Sequence, residues 1–224
     1  MCEIWHVFQR LRSAGLKLKP TTCRLFQGKV TFLGHVVSAR GIERDPAKLS
    51  CIASWSEPRC LTECRSFLGL ASYYKNCVEN FGELASPLYE LTRKGTPFLW
   101  DARCRQACET LKIHLCSAPV LATPVPDVNF LLDVDASTHG AGDVLHQYQN
   151  GELRVIYYAS RLFNAAERDC CTTRQELAAV VFGLKRFRQY VLGRKVLLRS
   201  DHAALSYLRR TKYPVAQQAR CGLY

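Results

Sequence analysis

The order of secondary-structure signals between residues 128 and 200 limits the fold of this chain more than any other feature. Three segments with the apolar pattern of β-strands are followed by a long amphipathic helix and then a fourth strand. The pair Asn150-Gly151 separates the second and third strands and predicts a tight hairpin turn. The predicted strands are residues 128–135, 140–147, 154–159 and 195–200, and the predicted helix runs from Thr173 to about Leu192.

The first 122 residues have a different pattern. An amphipathic helix is predicted up to a C-cap at Gly15, and two short strands with a turn near Gly28 are predicted over residues 25–37. The pair Asp45-Pro46 predicts a helix start, and helical periodicity continues to about Leu121 with breaks at proline and glycine. We expect an α/β fold with an α+β N-terminal region. Its predicted divisions are residues 1–44, 45–122 and 125–224, with a boundary near Pro124-Val125-Pro126.

Composition narrows the class of protein. The chain has 224 residues, of which 48% are hydrophobic and 22% charged, so it can bury a core. Its net charge of +12 favours a polyanionic partner, and nucleic acid is the leading candidate because phosphate contacts supply sequence-independent affinity. No apolar run reaches the roughly 18–20 residues of a membrane span, and the N-terminus lacks the features of a signal peptide. We therefore expect an intracellular protein that is not secreted and has no membrane partner.

The twelve cysteines raise the question of disulfides or zinc. A disulfide scaffold is typically short and secreted, which argues against that reading. A zinc site stays open, because Cys60/Cys64 and Cys104/Cys108 are i,i+4 pairs and each pair shares a helix face. Neither pair has C-x2-C spacing or a histidine pair to complete it. The favoured interpretation is that these cysteines are small hydrophobic residues of a helical core.

Three acidic residues stand at the predicted ends of elements in the C-terminal part. Asp135 ends the first strand, Glu176 lies in the first turn of the long helix, and Asp201 follows the last strand. Such positions can converge at one edge of a sheet. Convergent carboxylates repel one another unless a cation neutralises them, and hard oxygen ligands suit Mg2+. Spacing alone leaves capping roles open for all three, and Asp133 is expected nearer the middle of its strand, outside the metal ligands.

Four short motifs occur in order along the C-terminal part: Asp135-Ala136-Ser137, Tyr158 with Ser160-Arg161, Glu176-Leu177 and Asp201-His202. Together they resemble the RNase H domain of gypsy-type long-terminal-repeat retrotransposons. The resemblance implies a metal-dependent endonuclease that cleaves the RNA strand of an RNA–DNA hybrid. It also implies that Asp135, Glu176 and Asp201 are the catalytic residues and hold Mg2+ (or Mn2+) ions.

The upstream sequence resembles the end of a reverse transcriptase palm followed by the thumb. Residues 14–42 resemble the palm end, with a primer-grip hairpin at 32–35, and residues 45–88 resemble the thumb. The resemblance therefore implies a Pol polyprotein fragment whose partner is an RNA–DNA hybrid or template–primer duplex, with other Pol-derived chains as further candidates. The nucleic-acid contacts that we predict are Phe32, Leu33, Gly34, His35, Ser137, Arg161, Lys185, Arg186, Arg188 and His202. A solvated helix face is the alternative for the basic residues from Lys185 to Arg188.

The chain also departs from the family pattern. It contains no Asp-Asp dipeptide, so we expect polymerase chemistry to belong to a parent protein, and we expect truncation at both ends with loss of a fourth metal-binding aspartate. Asp143 stands where the family has a small apolar residue. An inward-facing, unpaired charge there would be costly, whereas a carboxylate at the edge would cost little. Cysteines replace aromatic residues of the family at Cys77, Cys108, Cys170 and Cys221. These departures favour an alternative function, a non-catalytic nucleic-acid-binding remnant of a decayed element.

Overall fold

Helix α1 (Cys2–Ser13) begins the described part of the chain, which covers residues 2–202 of the computed structural model. The helix ends as predicted, because Gly15 adopts φ +69°, a conformation that glycine reaches without steric cost. A short 3-10 turn at Pro20–Thr22 then leads towards the first sheet.

Three antiparallel strands form the first sheet, β1 (Lys29–Phe32), β2 (His35–Ser38) and β3 (Gly41–Arg44). The predicted turn near Gly28 was wrong. The chain reverses at Leu33 and Gly34, which have φ values of +46° and +69°, and this pair of left-handed residues matches the twist of a two-residue hairpin. Sequence reasoning also missed β3, because its four residues are too short to show a clear alternation.

A helical region follows, and its first helix starts where the sequence predicted. The Asp45 carboxylate accepts a hydrogen bond from Ala47 N at 3.0 Å, and Pro46 occupies the first turn. Gly69 lies inside a helix and does not interrupt it. The helices are α2 (Pro46–Ala53), α3 (Leu61–Tyr73), α4 (Phe81–Leu84), α5 (Ser86–Leu91) and α6 (Ala102–Ser117), with a 3-10 turn at Lys75–Cys77.

The helices surround a core that includes three of the cysteines considered for zinc. Cys64, Cys104 and Cys108 are buried among apolar side chains such as Phe67 and Leu111, as expected for small hydrophobic residues. Burial raises the pKa of the Cys104 and Cys108 thiols to about 11. These thiols are therefore protonated at neutral pH.

The second sheet is mixed, with the strand order β6-β5-β4-β7. The β4–β5 and β5–β6 pairs are antiparallel, whereas β4 and β7 are parallel. Asn150 and Gly151 both have positive φ, which confirms the predicted hairpin turn. The strands are β4 (Phe130–Ala136), β5 (Gly140–Gln149), β6 (Glu152–Leu162) and β7 (Val196–Arg199).

Helix α8 (Thr172–Arg186) packs against β4 and β5 and buries a second apolar core. The predicted helix to Leu192 is interrupted at the buried Phe187, and α9 (Arg188–Val191) follows. A short helix, α7 (Ala165–Arg168), precedes α8. The sequence also predicts a helix that starts around His202, and its residues beyond His202 lie outside the described part of the chain. Within the described part, no helix is both long enough and apolar enough to cross a membrane.

Backbone hydrogen bonds connect the two sheets through the segment before β4. Ile42 of β3 and Leu121 exchange two bonds, of 2.7 and 3.1 Å, and Ala122 N donates to Val155 O at 2.7 Å. Tyr158 of β6 is buried in the core of the helical region. The described chain is thus a mixed α/β structure, as the sequence predicted, and the helical region packs directly on the second sheet.

Candidate metal centre and nucleic-acid surfaces

Asp135, Glu176 and Asp201 converge, as their sequence positions predicted. Each offers a carboxylate oxygen, and the three oxygens lie within 4.8 Å of one another. The second sheet explains the convergence, because Asp135 lies near the end of β4 and Asp201 closely follows the parallel neighbour β7. Glu176 enters from the first half of α8, which packs across β4. Among residues 2–202, this is the group of three or more potential ligands that lies close enough to hold a cation.

The electrostatics of this group favour a cation. The Glu176 side chain is only 3% exposed, and burial raises its pKa, with further increases from Asp201 and Asp135. Ser200 Oγ lies 3.4 Å from Glu176 Oε2 and donates a hydrogen bond to it. Three carboxylates at this separation are the donor set that Mg2+ or Mn2+ prefers, so the residues fit such an ion.

A fourth acidic side chain, that of Asp143, interacts electrostatically with two members of the triad. Asp143 of β5 is 1% exposed, and neither of its oxygens has a hydrogen-bond partner among the described residues. Burial raises its pKa to about 8, Arg161 opposes that rise, and Glu176 and Asp135 add to it. The costly alternative for Asp143, an inward-facing carboxyl, is therefore the one that this fold adopts.

Asp133 lies outside the triad, as the sequence suggested, and other side chains engage it. Arg199 of β7 donates to both of its oxygens, at 2.7 and 2.6 Å. His146 Nε2 lies 3.0 Å from the Asp133 carboxylate. These contacts tie β4 to its two neighbours, β5 and β7, and leave Asp135 as the acid available at the end of the strand.

Two predicted contact residues stand directly beside the triad. The Ser137 hydroxyl accepts hydrogen bonds from the backbone of His139 and Gly140, both at 3.2 Å, and so shapes the turn after β4. His202 Nε2 lies 3.0 Å from Thr173 Oγ1, which joins the segment after β7 to the start of α8. Both residues organise the backbone that presents the carboxylates.

Arg161, a predicted nucleic-acid contact, is already bound by other side chains of the fold. Its guanidinium forms two hydrogen bonds of 2.8 Å with the Glu167 carboxylate. It also lies over the rings of Phe163 and Phe182. Glu167 is itself fixed by a capping box with Asn164. Arg161 therefore connects β6 to α7 and α8.

The basic residues of α8 lie on a surface groove of about 620 Å3. Lys185, Arg186 and Arg161 line it, and Arg174 is a fourth basic residue there that sequence reasoning missed. Lys185 follows Glu176 by nine residues, which places it about 180° around the helix. The groove therefore faces away from the triad. Arg188 lies beyond it in α9.

The predicted primer-grip hairpin is exposed and held by aromatic side chains. Phe32 and Leu33 are 63% and 70% exposed. His35 stacks on Tyr73 with ring centroids 5.5 Å apart, and the fully buried Tyr74 donates from its hydroxyl to Gly34 O at 2.6 Å. The hairpin is thus fixed to the end of α3 while its apolar tip faces solvent.

A mixed sheet covered by one long helix, with a carboxylate triad at its edge, defines the class of RNase H-like folds. Residues 100–198 match the family described as an RNase H-like domain found in reverse transcriptase. The chain is 34% identical over 221 residues to the Pol polyprotein of transposon 412 and 32% identical over 215 residues to that of transposon gypsy, both from Drosophila melanogaster. The chain thus contains an RNase H-like domain of the reverse transcriptase type and is homologous to retrotransposon Pol polyproteins.

This chain corresponds to only part of the length of each relative. The matches cover 99% and 90% of this chain but only 18% and 20% of the two polyproteins. A solved structure of the foamy viral protease-reverse transcriptase in complex with an RNA/DNA hybrid superposes with a TM-score of 0.77 at 25% identity. That match covers 96% of this chain and 30% of the viral chain. The chain thus spans about a fifth of the polyproteins and under a third of the viral protein.

Proposed function

We propose that this chain is the RNase H-type nuclease segment of a retrotransposon reverse transcriptase and hydrolyses the RNA strand of an RNA–DNA hybrid. The observation that carries the proposal is the triad, in which Asp135, Glu176 and Asp201 bring three carboxylate oxygens within 4.8 Å of one another. A relative of the same fold was solved with an RNA/DNA hybrid, and the net charge of +12 suits the same partner.

In this proposal Asp135, Glu176 and Asp201 would hold two Mg2+ (or Mn2+) ions. When bound, such ions activate a water molecule and stabilise the leaving oxygen in phosphodiester hydrolysis. The residues of the chain position that chemistry. Ser200 orients the buried Glu176, while the turn organised by Ser137 presents Asp135.

The nucleic-acid surfaces divide into two groups in this proposal. The exposed hairpin tip at Phe32 and Leu33 offers an apolar contact to a template–primer duplex, and Ser137 and His202 lie where they can meet the strand to be cleaved. The groove that Lys185 and Arg186 line lies on the side of α8 opposite Glu176. We therefore assign it no part in the cleavage step.

A cleavage assay with a labelled RNA–DNA hybrid tests the proposal. Purified chain is incubated with the hybrid and Mg2+ or Mn2+, beside Asp135→Asn and the control Asp169→Asn, which changes an exposed acid outside the triad. We expect cleavage by the wild type and the control and its loss in Asp135→Asn. Cleavage that is equal in all three proteins would refute the assignment of the triad.

The buried carboxyl of Asp143 favours a second candidate function, hybrid binding without hydrolysis. This side chain adds an acidic group that interacts electrostatically with Glu176 and Asp135 and has no hydrogen-bond partner among residues 2–202. Such an unpaired group disfavours a precisely held triad. Hybrid binding by the wild type without metal-dependent cleavage, unchanged in Asp135→Asn, would support this candidate.

A further inference from the structure

Asp135 is part of a row of three residues that crosses the second sheet. Asp135 of β4 is paired with Gly142 of β5, and Gly142 is paired with Ser160 of β6. Directly paired residues of antiparallel strands lie on the same face of the sheet, with their Cβ positions about 4.5–5.5 Å apart. The middle position of the row has no side chain, so the sheet has a gap next to Asp135.

The helical region fills this gap with Asn80. A methyl group built on Gly142 would overlap Asn80 Oδ1, so the amide occupies the place of the missing side chain. Asn80 and Asp135 line the same two small cavities together with Gly142. The side chain next to Asp135 on this face therefore comes from the loop before α4.

Two further features fix Asn80 in this place. Gly82 N donates to Ser160 Oγ at 2.8 Å, which attaches the start of α4, directly after Asn80, to the third member of the row. Asn80 itself has φ +50°, a left-handed conformation that asparagine tolerates better than most residues. The loop thus presents its amide group from a defined backbone position.

We infer that Asn80 is a positioning residue for Asp135, so that the helical region completes the metal centre of the RNase H-like domain. The inference rests on the proposed function, because it assumes that Asp135 binds a metal ion. Residues that orient a metal ligand typically change metal affinity by roughly 10–100-fold when they are altered. Asn80 lies outside the second sheet, and its effect on metal binding therefore depends on the docking of residues 80–82 against β5 and β6.

The inference is tested by Mn2+ binding to the full chain in the absence of nucleic acid. Asn80→Gly removes the amide and keeps the left-handed backbone accessible. The control is Asn150→Gly, since Asn150 also has positive φ but lies in the distant β5–β6 turn. We expect Mn2+ to bind roughly 10-fold more weakly to Asn80→Gly and unchanged to Asn150→Gly. Equal affinity in both variants and the wild type would overturn the inference.

A double substitution separates positioning from general damage. Gly142→Ala places a methyl group against Asn80. As a single substitution it should therefore weaken Mn2+ binding, but when it is added to Asn80→Gly it should have little further effect. The same loss in both backgrounds would show that Gly142 acts independently of Asn80. If Asn80→Gly does not fold by circular dichroism, Asn80→Asp supplies the measurement. Its added carboxylate should tighten Mn2+ binding, and an unchanged affinity would contradict the inference.

Failure of the proposed function gives a different result. If the wild type does not bind Mn2+ saturably, the metal centre itself is refuted, and the positioning role with it. If the wild type binds Mn2+ and Asn80→Gly weakens that binding, but no hybrid is cleaved, the positioning role stands and only the nuclease activity is rejected.

Discussion

Asp143 of β5 packs directly against Gly183 of α8, where a methyl group would lie 2.7 Å from Asp143 Oδ2. The glycine lets the helix approach the sheet, and the close approach buries the carboxyl group without a hydrogen-bond donor among residues 2–202. Arg161 is the cation that acts on Asp143, but its guanidinium is already bonded to Glu167. Burial at this contact therefore raises the pKa of the Asp143 carboxyl group to about 8, so that it is mostly protonated at neutral pH.

The first prediction concerns the pH dependence of stability. The pKa of Asp143 is about 8 in the folded chain, against 3.8 for the ordinary side chain. Between these values the folded chain keeps a proton that the unfolded chain releases, so the free energy of unfolding falls as pH rises, by up to about 1.4 kcal/mol per pH unit. Asp143→Ala should remove this contribution and stabilise the chain by several kcal/mol at pH 8. Urea unfolding from pH 4 to pH 8 measures both effects.

Asp169→Asn is the matched control, because Asp169 is an exposed acid of the same domain. It should leave the pH profile of the wild type unchanged. Burial also raises the pKa of Glu176, so part of the slope in the wild type belongs to that residue. A profile of Asp143→Ala that is as steep as that of the wild type would show that Asp143 is not the group responsible.

The second prediction tests the contact with Gly183. Alanine is normally better than glycine inside a helix by about 1 kcal/mol. Gly183→Ala should nevertheless destabilise the chain by roughly 1–3 kcal/mol, because the new methyl group meets the Asp143 carboxyl in a packed core. In the Asp143→Ala background the same substitution should be neutral or stabilising. Additive effects in the double variant, measured by thermal unfolding at pH 5, would rule out this contact as the cause.

The triad and the second sheet were predictable because local signals and the fold agree there. Asn150-Gly151 determines a hairpin turn by its backbone preferences alone, and the family motifs carry Asp135, Glu176 and Asp201. Element ends in an α/β sheet converge for topological reasons. The sequence alone did not show whether the Asp143 side chain faces the core. Side chains alternate between the two faces of a strand, so the face of Asp143 is known only once the register of β5 is known.

The parts that could not be predicted depend on contacts between distant segments. Nothing local in the sequence shows that Asn80 fills the position next to Asp135, because the signal is a missing side chain at Gly142, sixty-two residues later. The turn between β1 and β2 was predicted at the wrong residue for a similar reason. Gly28 looked like the turn residue, but Leu33 adopts the left-handed conformation while Tyr74 bonds to the neighbouring Gly34. Tertiary contacts of this kind override a local preference.

The third prediction concerns that bond between α3 and the hairpin. Tyr74→Phe removes the hydroxyl that donates to Gly34 O at 2.6 Å, while the bond from Asp45 N to the same oxygen remains. The loss should destabilise the chain by about 1 kcal/mol and loosen β1 and β2. Tyr89→Phe removes another tyrosine hydroxyl, which is paired with Ser72 at 2.9 Å away from the hairpin. Hydrogen exchange at the amides of β1 and β2 should quicken in Tyr74→Phe and not in Tyr89→Phe.

The fourth prediction uses the repulsion among the three carboxylates. Without divalent metal, Asp201→Asn removes one of the charges that raise the pKa of Glu176, so the variant should be more stable than the wild type by roughly 1 kcal/mol. Adding Mg2+ should reverse the order, because a bound ion stabilises only the protein with the intact ligand set, by about 1.4 kcal/mol at ten times its Kd. Thermal unfolding with EDTA or Mg2+ measures this change of sign. A wild type that is unaffected by Mg2+ would argue against a metal centre even if Asp201→Asn is stabilising, since relief of repulsion alone needs no ion.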